Sequence, residues 1–443
     1  MRQFLTGRPS WVAWSRFVAC TIGLLYLASH ASPASGQGIF LTGTGPINQA
    51  MGGAAVAAPL DSAGALNWNS ATISGLERSE MAIAIGAILP TTELSSDAFG
   101  LSGSTRGNSG VTPVPTMSFV FKDPNSPWTL GVGVYGIGGF SSNFPSSALL
   151  SPGANPILTP QPPTGVGVGR IYSHAEIYQI APTVAYAITD RLSFGFAPNI
   201  DLANVQADPL LFAPPNVVLG IPSYGPGTGS QFAWGGGFQL GLYYIVNDNW
   251  RIGASYKSTQ WFEKLRFNSN DALGNPVFNT VQFNLPSITS IGFSYTGIKR
   301  LLWAVDVRYF DYDNATGFNE TGFKANGAVA GLGWNGVVGV ANGLQYSLTE
   351  RFAARVGYTF IENPIPSSQE QFNVATSLSM QHFLSLGFSY KLFENVMANV
   401  AYTHGFQDSL TGPYQTPLGP IPNTSITNTT AVDQITAGLT VFY

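Results

Sequence analysis

Charge is what this chain has least of. Lys, Arg, Asp and Glu together make up 9 % of its 443 residues, where a soluble globular protein carries about 25 %. A chain so poor in charge cannot solvate an ordinary surface. Its 44 % hydrophobic and 13 % aromatic residues are equally incompatible with disorder. The net charge is −4 and no basic stripe is visible, which excludes nucleic acid as a partner. Cysteine is nearly absent, since Cys20 is the only one. Beyond the N-terminus there is no uninterrupted apolar stretch of about 18 residues, so no helix is expected to span a bilayer.

The N-terminus has its own logic. Arg2, Arg8 and Arg16 precede an apolar run from Phe17 to Ala28, and Ser29, Ala31, Ala34, Ser35 and Gly36 follow it. Basic, then apolar, then small residues make a secretory signal. Cleavage fits after Ala31 or Gly36; the latter defines a signal over 1–36 and leaves Gln37 first. Cys20 lies inside the apolar run, whereas a lipidated cysteine would follow it. The mature chain then has no disulfide, no thiol nucleophile and no thiolate metal site. An exported, charge-poor, aromatic-rich chain without a spanning helix has one other way into a membrane: a closed β-barrel that pairs every backbone polar group.

The body alternates with period two. Ile435, Ala437, Leu439, Val441 and Tyr443 alternate with Gln434, Thr436, Gly438 and Thr440. Trp303, Val305, Val307 and Tyr309 alternate with Ala304, Asp306, Arg308 and Phe310. One apolar face and one small or polar face describe a strand between lipid and lumen. Strands are expected near 79–90, 113–122, 127–140, 173–187, 190–205, 229–247, 250–267, 279–296, 301–313, 333–348, 351–362, 378–392, 395–407 and 431–443. That is about fourteen, an even number, as bacterial single-chain barrels require. Every second connection is tight, for example Ile188–Thr189, Asp248–Asn249 and Thr349–Glu350. The others, 91–112, 141–172, 206–228, 268–278, 314–332, 363–377 and 408–430, are long. Short turns alternating with long loops are expected on the periplasmic and extracellular sides respectively, with both barrel ends periplasmic. The fold class is therefore an all-β, membrane-spanning antiparallel barrel over 79–443. Residues 37–78, small-residue-rich and with neither Lys nor Arg from Gly38 to Gly75, are expected to fold into the lumen as a plug.

Certain segments carry a resemblance. Gln49-Ala50-Met51-Gly52-Gly53-Ala54, then Asp61-Ser62-Ala63, resemble the hatch of the FadL-type family of outer-membrane transporters for long-chain fatty acids and aromatic hydrocarbons. Leu66-Asn67-Trp68-Asn69-Ser70-Ala71 resembles that family's closing Asn-Pro-Ala signature, carried here by Asn69, Ser70 and Ala71, with Ser70 where the family has Pro. The strand from Trp128 to Phe140, the segment Leu285-Pro286-Ser287-Ile288-Thr289, and Arg355-Val356-Gly357-Tyr358 through Pro366 are similar too. The resemblance implies a fourteen-stranded barrel closed by an N-terminal hatch. It also implies capture of ligand at apolar loops and sideways exit through the wall into the membrane.

The competing motifs are weaker. Gly131, Gly133 and Gly136 form a GxGxxG, but a dinucleotide site needs a helix after it, and here a strand continues. His174, His382 and His404 show no metal spacing, and no GxSxG is present, so neither a metal, nor a cofactor, nor an enzyme is expected. Ser385 and His382 are separated by an odd number of residues and so face opposite sides of a strand. Candidate ligand contacts are Phe144, Leu149 and Leu150 in one long loop and Leu210, Leu211, Phe212, Val218 and Leu219 in another, because exposed apolar patches mark binding. Arg251, Arg308 and Arg355 are the candidate anchors for a carboxylate, although Asp306 stands two residues from Arg308 on the same face. The anchor-poor hatch favours neutral ligands over fatty acids. The rival classes are an adhesive barrel and a general polar porin, the latter calling for more charge in its loops and constriction. The partners expected are a hydrophobic small molecule, outer-membrane lipid and the assembly machinery, to which the terminal aromatic Tyr443 would be the signal.

Overall fold

The computed structural model describes residues 38–218, 220–230, 232–271, 273–376 and 378–443. The expected export signal and Leu219 lie outside the described residues. Fourteen strands form one closed antiparallel sheet. They are β1 Glu80–Ala98, β2 Thr112–Lys122, β3 Trp128–Phe144, β4 Ile171–Ala187, β5 Leu192–Asp208, β6 Ala233–Ile245 and β7 Trp250–Lys257. The rest are β8 Ile288–Tyr295, β9 Leu301–Phe310, β10 Val337–Ser347, β11 Phe352–Ile361, β12 His382–Phe393, β13 Val396–Gly412 and β14 Ser425–Phe442. Each pairs with its neighbours in sequence, and β14 closes on β1 from Glu80↔Phe442 to Asp97↔Ser425. Closure pairs every strand with a neighbour on each side, which is the condition for spanning lipid with strands.

Alternation puts apolar side chains outside. Ile83, Ile85, Leu130, Val132, Ile291, Leu384, Leu386 and Leu439 are exposed on the outer wall, the face that the sequence reading assigns to lipid. Their inward neighbours are small or polar and buried, such as Ala84, Ser290, Ser385 and Thr436. Ser385 bonds Thr403 on the inner face, while His382 bonds Tyr358. The tight turns are held by their own side chains. Asn247 Oδ1 accepts from the amides of Asn249 and Trp250, and Thr189 Oγ1 from those of Arg191 and Leu192.

Several strand limits differ from the sequence expectation. β7 ends at Lys257 and β8 begins at Ile288. Between them Leu265–Asn270 and Pro276–Val281 form a separate hairpin whose own alternation had extended both strands. Asp271 holds its turn, accepting from the amides of Leu273 and Asn275. At the same end of the barrel, β1, β13 and β14 run on through residues expected as loop. Leu101–Arg106 folds back on β1 there.

Residues Gly38 to Ile73 are buried almost throughout. They form two short helices, α1 Gly45–Ala50 and α2 Ser62–Trp68, and a 3-10 turn Ser70–Gly75. The segment is hydrogen-bonded to inner faces around the barrel. Gln49 reaches Thr403 of β13, Ser62 reaches Ser118 of β2, and Thr359 of β11 donates to the Gly52 carbonyl. Two glycines make this approach possible. A Cβ on Gly357 would lie 2.0 Å from the Gly52 amide nitrogen, and one on Gly253 would lie 2.1 Å from the Val56 carbonyl oxygen.

Candidate functional site

The lumen has two kinds of interior. Toward the short-turn end it is polar. Asp306 accepts from the amides of Ala55 (2.8 Å) and Val56 (3.1 Å) and pairs with Arg308 at 2.7 Å. The same guanidinium donates to the Gly53 carbonyl and stacks over Trp68, 3.4 Å from the ring centroid. Arg308 is thus consumed between wall and N-terminal segment. Arg355 bonds Gln345 and Ser389, and Arg251 bonds Thr296. None of the three candidate anchors lines a cavity on the long-loop side. Asn69 caps the 3-10 turn by accepting from Ala71 N, and donates to the carbonyls of Val56 and Leu242. Ser70 and Ala71 are fully buried beside it. The turn forms with serine in the place where the family has proline. Tyr443 is exposed, its amide donating to the Ser79 carbonyl.

Toward the long loops the interior is apolar. A cavity of about 820 Å³ is lined by Ile177, Ala203, Phe262, Leu285, Phe318 and neighbours, with no charged side chain among them. Leu210 and Phe212 turn down into it, so their loop contributes to the lumen wall. Phe212 meets Phe283 edge-on at 5.3 Å, Phe283 meets Phe318 at 5.7 Å, and Phe318 packs on Trp334 at 4.9 Å. Such edge-to-face rings add about 0.5–1.5 kcal/mol each beyond their burial. Tyr312 closes this cluster on Trp334 and accepts a hydrogen bond from Ile39 N at 3.3 Å. Burial pushes its phenol well above the ordinary value, so it stays protonated.

The other loop candidates go elsewhere. Phe144 is the last residue of β3, and the strand's alternation directs it into a separate cluster with Leu94, Ile157 and Tyr414. Leu149 is half-buried and Leu150 is 95 % exposed at a turn. Leu211 is half-buried, and Val218 pairs with Ile221 in a small hairpin. The two loops meet through Gln161, which exchanges hydrogen bonds with the Tyr224 backbone. Among the described residues, the buried apolar side chains of the two loops fall in separate clusters.

The sequence reading overlooked a break in the wall. β2 pairs with β3 only from Thr116↔Tyr135 to Lys122↔Thr129. Its first residues, Thr112 to Pro115, are bonded to β1 alone. Pro113 and Pro115 lack the N–H that a ladder needs, and such residues belong at sheet edges. On the facing strand a bulge between Gly136 and Gly138 shifts the register with β4. Inside the break, the chain's own N-terminal residues take the missing partner's place. Phe40 bridges Gly138, with Leu41 N donating to Ile137 O and Gly139 N to Ile39 O, both at 3.0 Å. A second cavity of about 700 Å³ passes through this break. It is lined by inward-facing Thr92, Leu378 and Thr430 and by outward-facing Pro113, Glu176 and Tyr178. A third, of about 580 Å³, joins it to Ile39 and Phe40. Two prolines two residues apart, facing a run of three glycines within four residues, were the signal in the sequence.

This architecture and this wall have relatives. The family model described as outer membrane protein transport protein (OMPP1/FadL/TodX) matches residues 164–434. The chain belongs to this family. It is therefore an outer-membrane β-barrel of a family of transport channels. Outer membrane protein P1 of Haemophilus influenzae is 24 % identical over 256 residues, which is 54 % of this chain and about half (51 %) of that protein. Among solved structures, the Pseudomonas putida toluene transporter TodX shares the fold with TM-score 0.66 and 15 % identity, over 91 % of this chain and 99 % of that one. A Pseudomonas aeruginosa FadL homologue gives TM-score 0.68 at 13 % identity over the same shares, 91 % and 99 %. The Ralstonia pickettii toluene transporter TbuX gives 0.63 at 18 % identity, again over 91 % and 99 %.

Proposed function

We propose that this protein is a passive route for hydrophobic small molecules, neutral ones before fatty acids, entering from outside and leaving sideways into the membrane. The long loops face the medium and both barrel ends face the periplasm. Residues 37–78 act as the hatch. Ligand partitions first onto the apolar loop residues Leu210 and Phe212 and then into the aromatic-lined cavity. Each buried CH₂ contributes about 0.8 kcal/mol there. No chemistry is required of the protein. The hatch residues Ile39 to Leu41 bar the last step, because they occupy the inner side of the break. The reading draws on the solved relatives whose names record toluene as their cargo, TodX and TbuX.

The observation that carries the reading is the cavity lined by both faces of the barrel wall. It makes a passage where a closed sheet would have none. A disulfide across it tests the idea. A Cβ on Gly136 would lie 3.0 Å from Val114 Cγ1, within reach of bridging geometry. The only natural cysteine is Cys20, in the expected signal, so no other thiol competes. In a strain lacking its own transporter of this family, Val114→Cys with Gly136→Cys should take up toluene when reduced and lose that uptake when oxidised. Equal uptake in both states would place the exit elsewhere.

A further inference from the structure

Three cavities that share lining residues run from the loop side of the lumen to the break, and among the described residues their walls carry one charged side chain between them. That residue is Glu176. It stands on the outward face of β4 opposite Gly139, the residue at which the bulged β3 has turned away. It is 26 % exposed, and its carboxylate lies 3.0 Å from His174 Nε2. Tyr178, two residues along the same face, shares a hydrogen bond with it and lines the same mouth. Among the described residues no Lys or Arg lines any of the three cavities. The basic residue next along β4's side of the rim, Arg170, is engaged by Asn143 and stacks on the Tyr172 ring.

We propose that Glu176 is the charge filter of the exit, which makes the protein selective for neutral over anionic amphiphiles. The inference rests on the transport reading above and names the cargo's charge class. A ligand leaving through the break must pass its polar end within reach of this carboxylate. An alcohol can donate a hydrogen bond to it, whereas a carboxylate brings a second negative charge and no donor. With no cation in the walls to offset that repulsion, a like charge at about 4 Å lowers occupancy roughly fivefold even at the dielectric of water, and more in a lipid-flanked mouth. Glu176 is a specificity residue; its side-chain partners, His174 and Tyr178, lie on the same outward face of β4.

The test uses a matched pair, dodecanol and dodecanoate, whose tails are identical. Protein-dependent uptake is measured in a strain lacking its own transporter of this family, with heat-modifiability as the check on folding. Wild type should favour dodecanol at least fivefold. Glu176→Gln should raise dodecanoate uptake severalfold and leave dodecanol within twofold. Glu176→Asp should keep the discrimination, and so should His174→Gln, which removes the imidazole 3.0 Å from the acid. Equal uptake of both compounds by wild type, or an unchanged ratio in Glu176→Gln, overturns the filter while leaving transport intact. If wild type takes up neither compound above background, the transport reading fails and the filter with it.

Discussion

The two halves of the lumen hold their contents by different means. Toward the short turns the N-terminal segment is fastened by directional bonds: Asp306 to two amides, Arg308 to a carbonyl, Asn69 to two carbonyls, Thr359 to Gly52. Toward the loops, apolar surfaces meet around space, and only two backbone bonds tie Ile39 and Leu41 to β3. Directional networks in low dielectric admit one arrangement and penalise any loss of partner. Apolar contact is non-directional, so a guest of similar chemistry can replace it without stranding a polar group. One half is fastened in a single arrangement; the other encloses room that the transport reading assigns to cargo.

That contrast can be broken most severely at Asp306. Asp306→Ala leaves Arg308 buried without its counter-charge, a loss of about 3–5 kcal/mol. The temperature at which the folded band disappears in heat-modifiability gels should drop sharply, whereas Asp306→Asn should retain part of the hydrogen bonding and fall less. Deleting residues 38–76 removes the fastened half altogether, and single-channel conductance in planar bilayers should rise severalfold; wild-type conductance would mean that the segment does not close the pore. On the apolar side, Phe283→Ala takes one ring out of the chain Phe212–Phe283–Phe318. Toluene affinity should fall about tenfold, or about 1.4 kcal/mol, with the melting behaviour of the barrel little changed. Binding that survives while the barrel melts early would reverse the assignment of the two halves.

The smallest effect expected is in a loop. Glu370 is buried, with one carboxylate oxygen unpartnered, and burial holds its carboxyl well above the ordinary value. A raised acid favours the folded loop in its protonated form. That stability is complete below the ordinary carboxyl range of about 4.3 and is lost as pH rises through the higher folded value. Cleavage of segment 363–381 by added protease should therefore quicken as pH rises, and Glu370→Gln should flatten the profile.

Much of the barrel was legible because alternation is a local signal, and lipid on one side makes it strong. It failed where a second structure alternates too, as in Leu265–Asn270, and where strands outrun the membrane. Thr427 to Thr430 read as loop, yet they pair with β1 across their whole length. The pairing of Arg308 with Asp306 was readable from a spacing of two. The meeting of Phe212 with Phe283 and Phe318 was not, because closure of a sheet brings together residues whose separation in the chain says nothing. The break in the wall was spelled out in Pro113, Pro115 and three glycines, but each is ambiguous until its facing strand is known. Glu176 has no signature at all; its position matters only because the mouth is there.

The strand borrowed from the N-terminus has a consequence for what happens after a molecule has left. On the proposed exit route Ile39 and Leu41 would have to withdraw, and the Ile137 carbonyl and the Gly139 amide would lose the partners they have here. Each bare group costs about 1–3 kcal/mol, and the hydrocarbon beside them offers no substitute. The doorway is thus sprung. On that proposed route, departure of the guest would leave an adhesive seam, and Ile39 to Leu41, which bond it here, are the residues that would seal it.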